Sequence, residues 1–287
     1  MALDGLVVVD KDAGWTSHDV VAKLRGVLQT KKVGHSGTLD PDATGVLVIG
    51  IGRVTRLLRF LTALPKTYTG QVVFGTETST LDASGEVTAT HDMQVTLDDV
   101  RASAATLTGD ILQVPPMVSA KQVGGKRLHE LARKGIEVER EPVPVTVHRF
   151  DVDATDDPLV FDIEVECSSG TYIRSLAADL GTALGGGAHL RTLRRTAIGS
   201  FSTFDAQRID SISVESVLPP IQAMRDYPSV ATMRETIQNG KVLARGELHV
   251  DGEGPWAVTD ARSGELLAVY ETYKADLVKP AVVLAAD

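Results

Sequence analysis

The chain has 287 residues, 43% of them hydrophobic and 23% charged, enough for one large core with a small appended domain and with no apolar run of membrane-spanning length. One cysteine, Cys167, excludes an internal disulfide and a Cys-based zinc site, and Met1-Ala2-Leu3-Asp4-Gly5 lacks the basic-then-apolar order of a secretory signal, so a cytoplasmic location is expected. The net charge of −9 argues against binding nucleic acid through overall charge, yet Lys23 to Lys66 carries eight bases against Asp40 and Asp42, while Phe150 to Glu166 carries seven acids and no base, a segregation that permits one basic face.

Leu6 to Asp10 reads as a buried strand ended by the turn Lys11-Asp12-Ala13-Gly14. Ser17 is placed to cap a helix running to Gln29, on which Val20, Val21, Leu24, Val27 and Leu28 recur at helical spacing. Gly34 to Gly45 is polar and glycine-broken, hence a loop, and Val46 to Ile51 is an apolar run that fits a buried strand. Within the loop, Pro41 keeps Asp40 out of the right-handed helical region, and Gly37 and Gly45 can take positive φ at no steric cost. A carboxylate held on such a loop beside a core strand suits catalysis. By spacing alone, an ordinary Asp-Pro turn is the favoured account.

Arg53 to Leu64 is expected to be an amphipathic helix with Val54, Leu57, Leu58 and Leu61 inward. Its Arg53, Arg56 and Arg59 share one side, either as a solvated face or as a phosphate-contacting ridge. Lys66 to Gly75 reads as a strand with Tyr68 near its start, Thr76 to Gly85 as polar turn material, and Thr96 as the cap of a short helix through Leu107. Residues 113–145 break the regular alternation, and there Lys121, Lys126, Arg127, Arg133 and Lys134 stand against Glu130 among flexible glycines, a basic insertion able to close over a polyanion.

Leu159 to Cys167 alternates cleanly, with Leu159, Phe161, Ile163, Val165 and Cys167 on one face and Asp162, Glu164 and Glu166 on the other. The helix that follows keeps period through Ile173, Leu176, Ala177, Leu180 and Leu184. Arg174 in its first turn opposes the helix dipole by a few tenths to about 1 kcal/mol if exposed. Something else must favour it there: a carboxylate partner would, and bonds to sheet carbonyls are the alternative. Gly185 to Thr196 closes the large domain, Pro219-Pro220 marks a boundary, and residues 223–287, net acidic, carry a helix-like Met233 to Val242 and strands around Trp256 to Val258, Leu266 to Tyr270 and Ala281 to Leu284.

Ordered blocks between about residues 5 and 200 carry a family resemblance. Gly34-His35-Ser36-Gly37-Thr38-Leu39-Asp40-Pro41-Asp42-Ala43-Thr44-Gly45 resembles, over twelve positions, the catalytic-loop signature G-H-S/T-G-A/T-L-D-P-x-A-S/T-G of the bacterial TruB family of tRNA pseudouridine-55 synthases. Lys11 with Trp15-Thr16-Ser17 resembles the family's D-K-P-x-G-x-S/T-S motif, with Ala13 where proline is usual. Lys66-Thr67-Tyr68 matches its K-x-Y motif, Thr80 to Gly85 its T-x-D-x-x-G loop, Ser168 to Arg174 its S-x-G-T-Y-I-R motif, and Gly185 to Arg195 its closing G-x-x-A-x-V/L-x-x-L-R-R block.

The resemblance implies an α/β (α+β) protein of the pseudouridine synthase fold, with a mixed, largely antiparallel central sheet in a catalytic domain of residues 1–220, an RNA-gripping insertion at 113–145 and a small β-rich PUA-like module at 223–287. It implies a catalytic Asp40 kept ionised and oriented by Arg174. Tyr68 would stack on the everted uracil, His35 would stack on the RNA or prop it open, Tyr172 and Leu193 would bound the base pocket, and Lys11 would line the site. Lys121, Lys126, Arg127, Arg133 and Lys134 would contact RNA, the partner being the T-arm stem-loop of tRNA. The isomerisation involves no net redox change, so no metal or cofactor is expected, nor any membrane partner, and a monomer is expected. Two rivals remain. A non-catalytic tRNA-folding chaperone or RNA-binding scaffold could use the same surface, although Asp40, Tyr68 and Arg174 together argue against that as its only role. A dinucleotide oxidoreductase, suggested by Gly50-Ile51-Gly52, fails because Thr55 stands where the third glycine is needed.

Overall fold

The computed structural model describes residues 3–119, 122–123, 126–127, 136, 138–237 and 240–284. In chain order its elements are β1 (Gly5–Lys11), α1 (Ser17–Val27), β2 (Val33–His35), β3 (Thr44–Ile51), a 3-10 helix (Gly52–Leu57), α2 (Leu58–Ala63), β4 (Lys66–Phe74), β5 (Thr76–Thr78), β6 (Val87–Thr90), α3 (Leu97–Thr106), β7 (Gly109–Gln113), β8 (Gln122–Val123), β9 (Lys126–Arg127), β10 (Val143–Ala154), β11 (Val160–Cys167), α4 (Ile173–Ala183), β12 (Ala188–Ile198), β13 (Phe201–Ser202), β14 (Gln207–Arg208), β15 (Ser229–Thr232), β16 (Leu243–Ala244), β17 (Trp256–Asp260), β18 (Leu266–Lys274) and β19 (Leu277–Val283). No described helix is long and apolar enough to cross a membrane. The chain divides into two compact units, one of residues 1–41, 45–63 and 199–287, the other of residues 42–44 and 64–198.

In the first unit, β1 pairs antiparallel with β3 from Gly5 opposite Ile51 to Lys11 opposite Gly45, β2 pairs antiparallel with β3, and β14 pairs parallel with β1. Both long strands are apolar almost throughout, as strands covered on both faces must be, and α1 lays Val20, Val21 and Leu24 against Val7, Val9, Leu47 and Ile49. The helix cap differs from expectation: Thr16, not Ser17, is the N-cap, in a reciprocal capping box with Asp19, and the helix ends at Val27. Ser17 is thereby released for another task.

The expected helix over Arg53 to Leu64 is a 3-10 turn followed by the six-residue α2. In a 3-10 turn, residues three apart eclipse one another, which puts Arg53 and Arg56 in line. Their guanidinium groups donate to the carbonyls of Leu284 and Val283, Arg53 also pairs with Asp4, and Arg59 pairs with Glu271 at 2.9 Å. The three arginines therefore fasten the end of β19 and its neighbour β18 rather than form a free ridge.

Residues 229–283 of this unit form a five-stranded sheet in the order β15, β17, β18, β19, β16, around Trp256, Val258, Leu267, Tyr270 and Val278. Among the described residues of the expected helix over Met233 to Val242, the helical piece is the 3-10 turn at Arg234–Thr236.

The second unit is an antiparallel sheet in the order β12, β4, β11, β10, β7, backed by α3 and α4. Phe74 and Phe161 meet edge to face at 5.5 Å in its core. β10 and β12 are strands to which the sequence pattern assigned no element. Both carry β-bulges, at Val147/Arg149 in β10 and at Leu190/Thr192 and Arg195/Ala197 in β12, so their side chains lose the two-residue period that marks a strand.

Candidate active site

The loop of Asp40 leaves β2 and enters β3, and every contact described for it here lies within the first unit. Gly45 takes φ of 100° at the entry to β3, as its place in the loop requires. The residues on both sides of Asp40 are anchored through their backbone. On one side Ser17 Oγ accepts from the Leu39 N–H at 2.9 Å and donates to the Leu39 carbonyl at 3.2 Å, with Ser17 and Leu39 both buried. On the other, the Pro41 carbonyl accepts from Lys11 Nζ at 3.0 Å and from the Gly14 N–H at 3.0 Å.

Lys11 is only 1% exposed, and its ammonium also donates to the carbonyls of Trp15 at 2.7 Å and Asp12 at 3.1 Å. A solvated lysine is ruled out by that burial; the side chain gathers three carbonyls around one charge. Asp40 itself is half-buried. His35, also half-buried, meets His18 edge to face at 5.6 Å, and its Nδ1 accepts from the Gly37 N–H at 3.3 Å.

The other expected site residues belong to the second unit. Tyr68 on β4 stands opposite Val165 of β11 and Arg195 of β12, and Leu193 stands opposite Gly70, so Tyr68, Leu193 and Arg195 share one sheet face. Gly70 is required there, because a Cβ would meet the Thr192 carbonyl oxygen at 2.4 Å. Tyr172 caps α4 without using its side chain, and Arg174, 6% exposed, lies in the first turn. Its guanidinium donates to the carbonyls of Thr80 at 2.9 Å and Val118 at 2.8 Å and lies 3.4 Å from Asp82. Asp82 is in turn fixed by Thr80 Oγ and the Ser84 N–H, so the polar loop 80–85 is built around this carboxylate.

Two further cations are buried near the start of β4. Lys66 donates to the Leu64 carbonyl at 2.7 Å, and Arg195 is 1% exposed. Burial, and secondly the Arg195 guanidinium, push the Lys66 ammonium down to about 8, while burial pushes the Cys167 thiol up to about 11. Of the expected RNA contacts, Lys121, Arg133 and Lys134 lie outside the described residues, and Lys126 and Arg127 are described only as the strand β9 paired with β8. Among the described residues no cluster of His, Cys, Asp or Glu could hold a metal ion.

Sequence reasoning missed the residues that hold this machinery. Ser17 was assigned to a helix cap, and Gln113 was passed over, although it is fully buried and bonds both polar groups of the Tyr172 backbone.

Residues 25–173 match the family described as TruB family pseudouridylate synthase, N terminal domain, and residues 174–237 the tRNA pseudouridylate synthase B C-terminal domain. The chain belongs to the TruB family. Among its TruB relatives is tRNA pseudouridine synthase B of Solibacter usitatus (strain Ellin6076), 42% identical over 294 residues that cover 98% of this chain and 100% of the relative. Another, of Arthrobacter sp. (strain FB24), is 50% identical over 230 residues, 78% of this chain and 75% of the relative. Among solved structures, a chain in the crystal structure of a Cbf5-Nop10-Gar1 complex aligns with a TM-score of 0.73 and 25% identity over 95% of this chain and 79% of that one. The expected pseudouridine synthase fold, mixed and mostly antiparallel with a β-rich C-terminal module, is thus the fold of this TruB chain, an isomerase that turns uridine into pseudouridine.

Proposed function

We propose that this chain isomerises the uridine at position 55 in the T-loop of tRNA to pseudouridine. That its substrate is tRNA follows from its TruB membership at full coverage. The reaction breaks the bond from N1 of uracil to C1′ of the ribose, turns the base, and joins C5 to C1′, after which C5 gives up its proton and N1 holds one.

Asp40 is the carboxylate that acts on the nucleoside, and Arg174 is the cation that keeps it ionised. Tyr68 stacks on the detached uracil, with Leu193 on the same sheet face and Tyr172 bounding the base, while His35 holds the RNA open. Lys11 acts through the Pro41 carbonyl. Lys121, Lys126, Arg127, Arg133 and Lys134 contact the phosphates of the T-arm. Everting the base costs a few kcal/mol, which phosphate contacts and stacking offset.

The observation that carries this reading is the pinning of both residues beside Asp40, Leu39 by Ser17 and Pro41 by Lys11 and Gly14. A merely structural Asp-Pro turn has no need of a buried ammonium beneath it. The test is single-turnover tritium release from 5-tritiated uridine in tRNA. Wild type should release, Asp40→Asn should bind tRNA and release nothing, and tRNA with cytidine at position 55 should release nothing with wild type. Release by Asp40→Asn at the wild-type rate would remove the carboxylate from the mechanism, and release from the cytidine-55 tRNA would move the target elsewhere.

A further inference from the structure

The segment that leads out of β7 is stitched to the first turn of α4, both within the second unit. Gln113 Oε1 accepts from the Tyr172 N–H at 2.8 Å, and Gln113 Nε2 donates to the Tyr172 carbonyl at 3.1 Å. Ser175 Oγ donates to the Val114 carbonyl at 3.0 Å and Arg174 Nη2 to the Val118 carbonyl at 2.8 Å. These partners lie 56 to 61 residues apart in sequence.

An uncharged amide offers a donor and an acceptor spaced to match both polar groups of a single residue's backbone. Tyr172 has an extended backbone, φ −103° and ψ 110°, and its side chain makes no cap bond, so the amide of Gln113 holds the N-cap residue itself, by its own N–H and carbonyl, at the entry to α4. Gripping both ends of one residue fixes its backbone orientation, and with it the direction of the Tyr172 side chain and the rotation of the turn that carries Arg174.

We infer that Gln113 is a positioning residue for the isomerisation: it holds Tyr172 and Arg174 in register, so turnover depends on it while tRNA capture does not. This rests on the reading of Arg174 as a reaction residue.

The experiment compares wild type, Gln113→Leu, Arg174→Lys and the double variant in single-turnover tritium release, with tRNA Kd and melting temperature measured on each full-length protein. The expected result for Gln113→Leu is a rate constant lowered at least tenfold with Kd within twofold of wild type. The double variant should be slowed by less than the product of the two single losses, because both act through the same turn. A Gln113→Leu rate equal to wild type, a loss confined to Kd, or losses that multiply would each overturn the inference. If Arg174→Lys alone runs at the wild-type rate, the functional reading of Arg174 fails first; if Arg174→Lys is slow and Gln113→Leu is not, only the present inference fails. Should Gln113→Leu not fold, Gln113→Glu replaces it. Its protonated carboxyl can donate and accept like the amide, so its rate relative to wild type should fall as pH rises and the carboxyl ionises, and a flat ratio across pH 5 to 8 would overturn the inference.

Discussion

Lys11 and Gln113 are both buried, polar and bonded to backbone, and they hold the Asp40 loop and the first turn of α4 in different ways. An ammonium only donates, so Lys11 collects carbonyls from three places, Asp12, Trp15 and Pro41, and draws a turn together around one charge. An amide both donates and accepts, so Gln113 fixes the two ends of one residue. Bonds to a charged group contribute about 1.5 to 3 kcal/mol each against about 1 for neutral ones, but burying the charge costs several kcal/mol and must be offset by all three carbonyls. A charge suits a turn that must draw several carbonyls to one point, and an amide suits one residue whose backbone must face a set direction.

The largest test of this contrast is Lys11→Met. Removing the ammonium should cost about 4 kcal/mol, seen as a lowered denaturation midpoint, and should slow single-turnover tritium release by more than tenfold. A midpoint at or above the wild-type value would mean that burying the ammonium costs more than its three bonds return, and the contrast with Gln113 would fail.

Lys66, buried in the second unit, sharpens the comparison from the opposite side. Its folded-state value near 8 lies below the ordinary 10.5, so below pH 8 both folded and unfolded chains carry the proton and the burial penalty is present in full. The penalty fades as pH rises from about 8 to 10.5, because the folded state sheds its proton first. Lys66→Met should therefore be more stable than wild type at pH 7 by up to about 3 kcal/mol, with the gap closing by pH 10 in denaturant melts. A gap that widens with pH would show that the Lys66 charge is stabilised where it lies, as that of Lys11 is.

The smallest effect is expected at Arg59. Its pair with Glu271 is half exposed, so Arg59→Ala should lower stability by less than about 1 kcal/mol, and less in high salt. Its tRNA affinity should stay within twofold of wild type, whereas a phosphate-contacting arginine would lose affinity and flatten the salt dependence of binding.

What was legible in the sequence was local. The apolar runs of β1 and β3 and the alternation of β11 mark strands because packing against a core repeats at each position. β10 and β12 escaped because each bulge shifts the side-chain period by one residue, and the span Arg53 to Leu64 differs from one helix because the apolar spacing of Val54, Leu57, Leu58 and Leu61 fits a 3-10 turn running into a short α-helix as well as a single α-helix face. Asp40 and Arg174 stand out in the sequence because they lie in contiguous blocks of recognisable residue types.

The sequence by itself therefore determined the family and the strands whose packing repeats along the chain. Only the tertiary structure decided how the Asp40 loop and the first turn of α4 are held: that Ser17 grips Leu39 from 22 residues away, Lys11 grips Pro41 from 30, and Gln113 grips Tyr172 from 59. The physical reason is that each grip ends on a backbone N–H or carbonyl. Nearly every residue type supplies those groups alike, so the partner position leaves no mark in the sequence, and the contact exists only once folding has brought the two segments together.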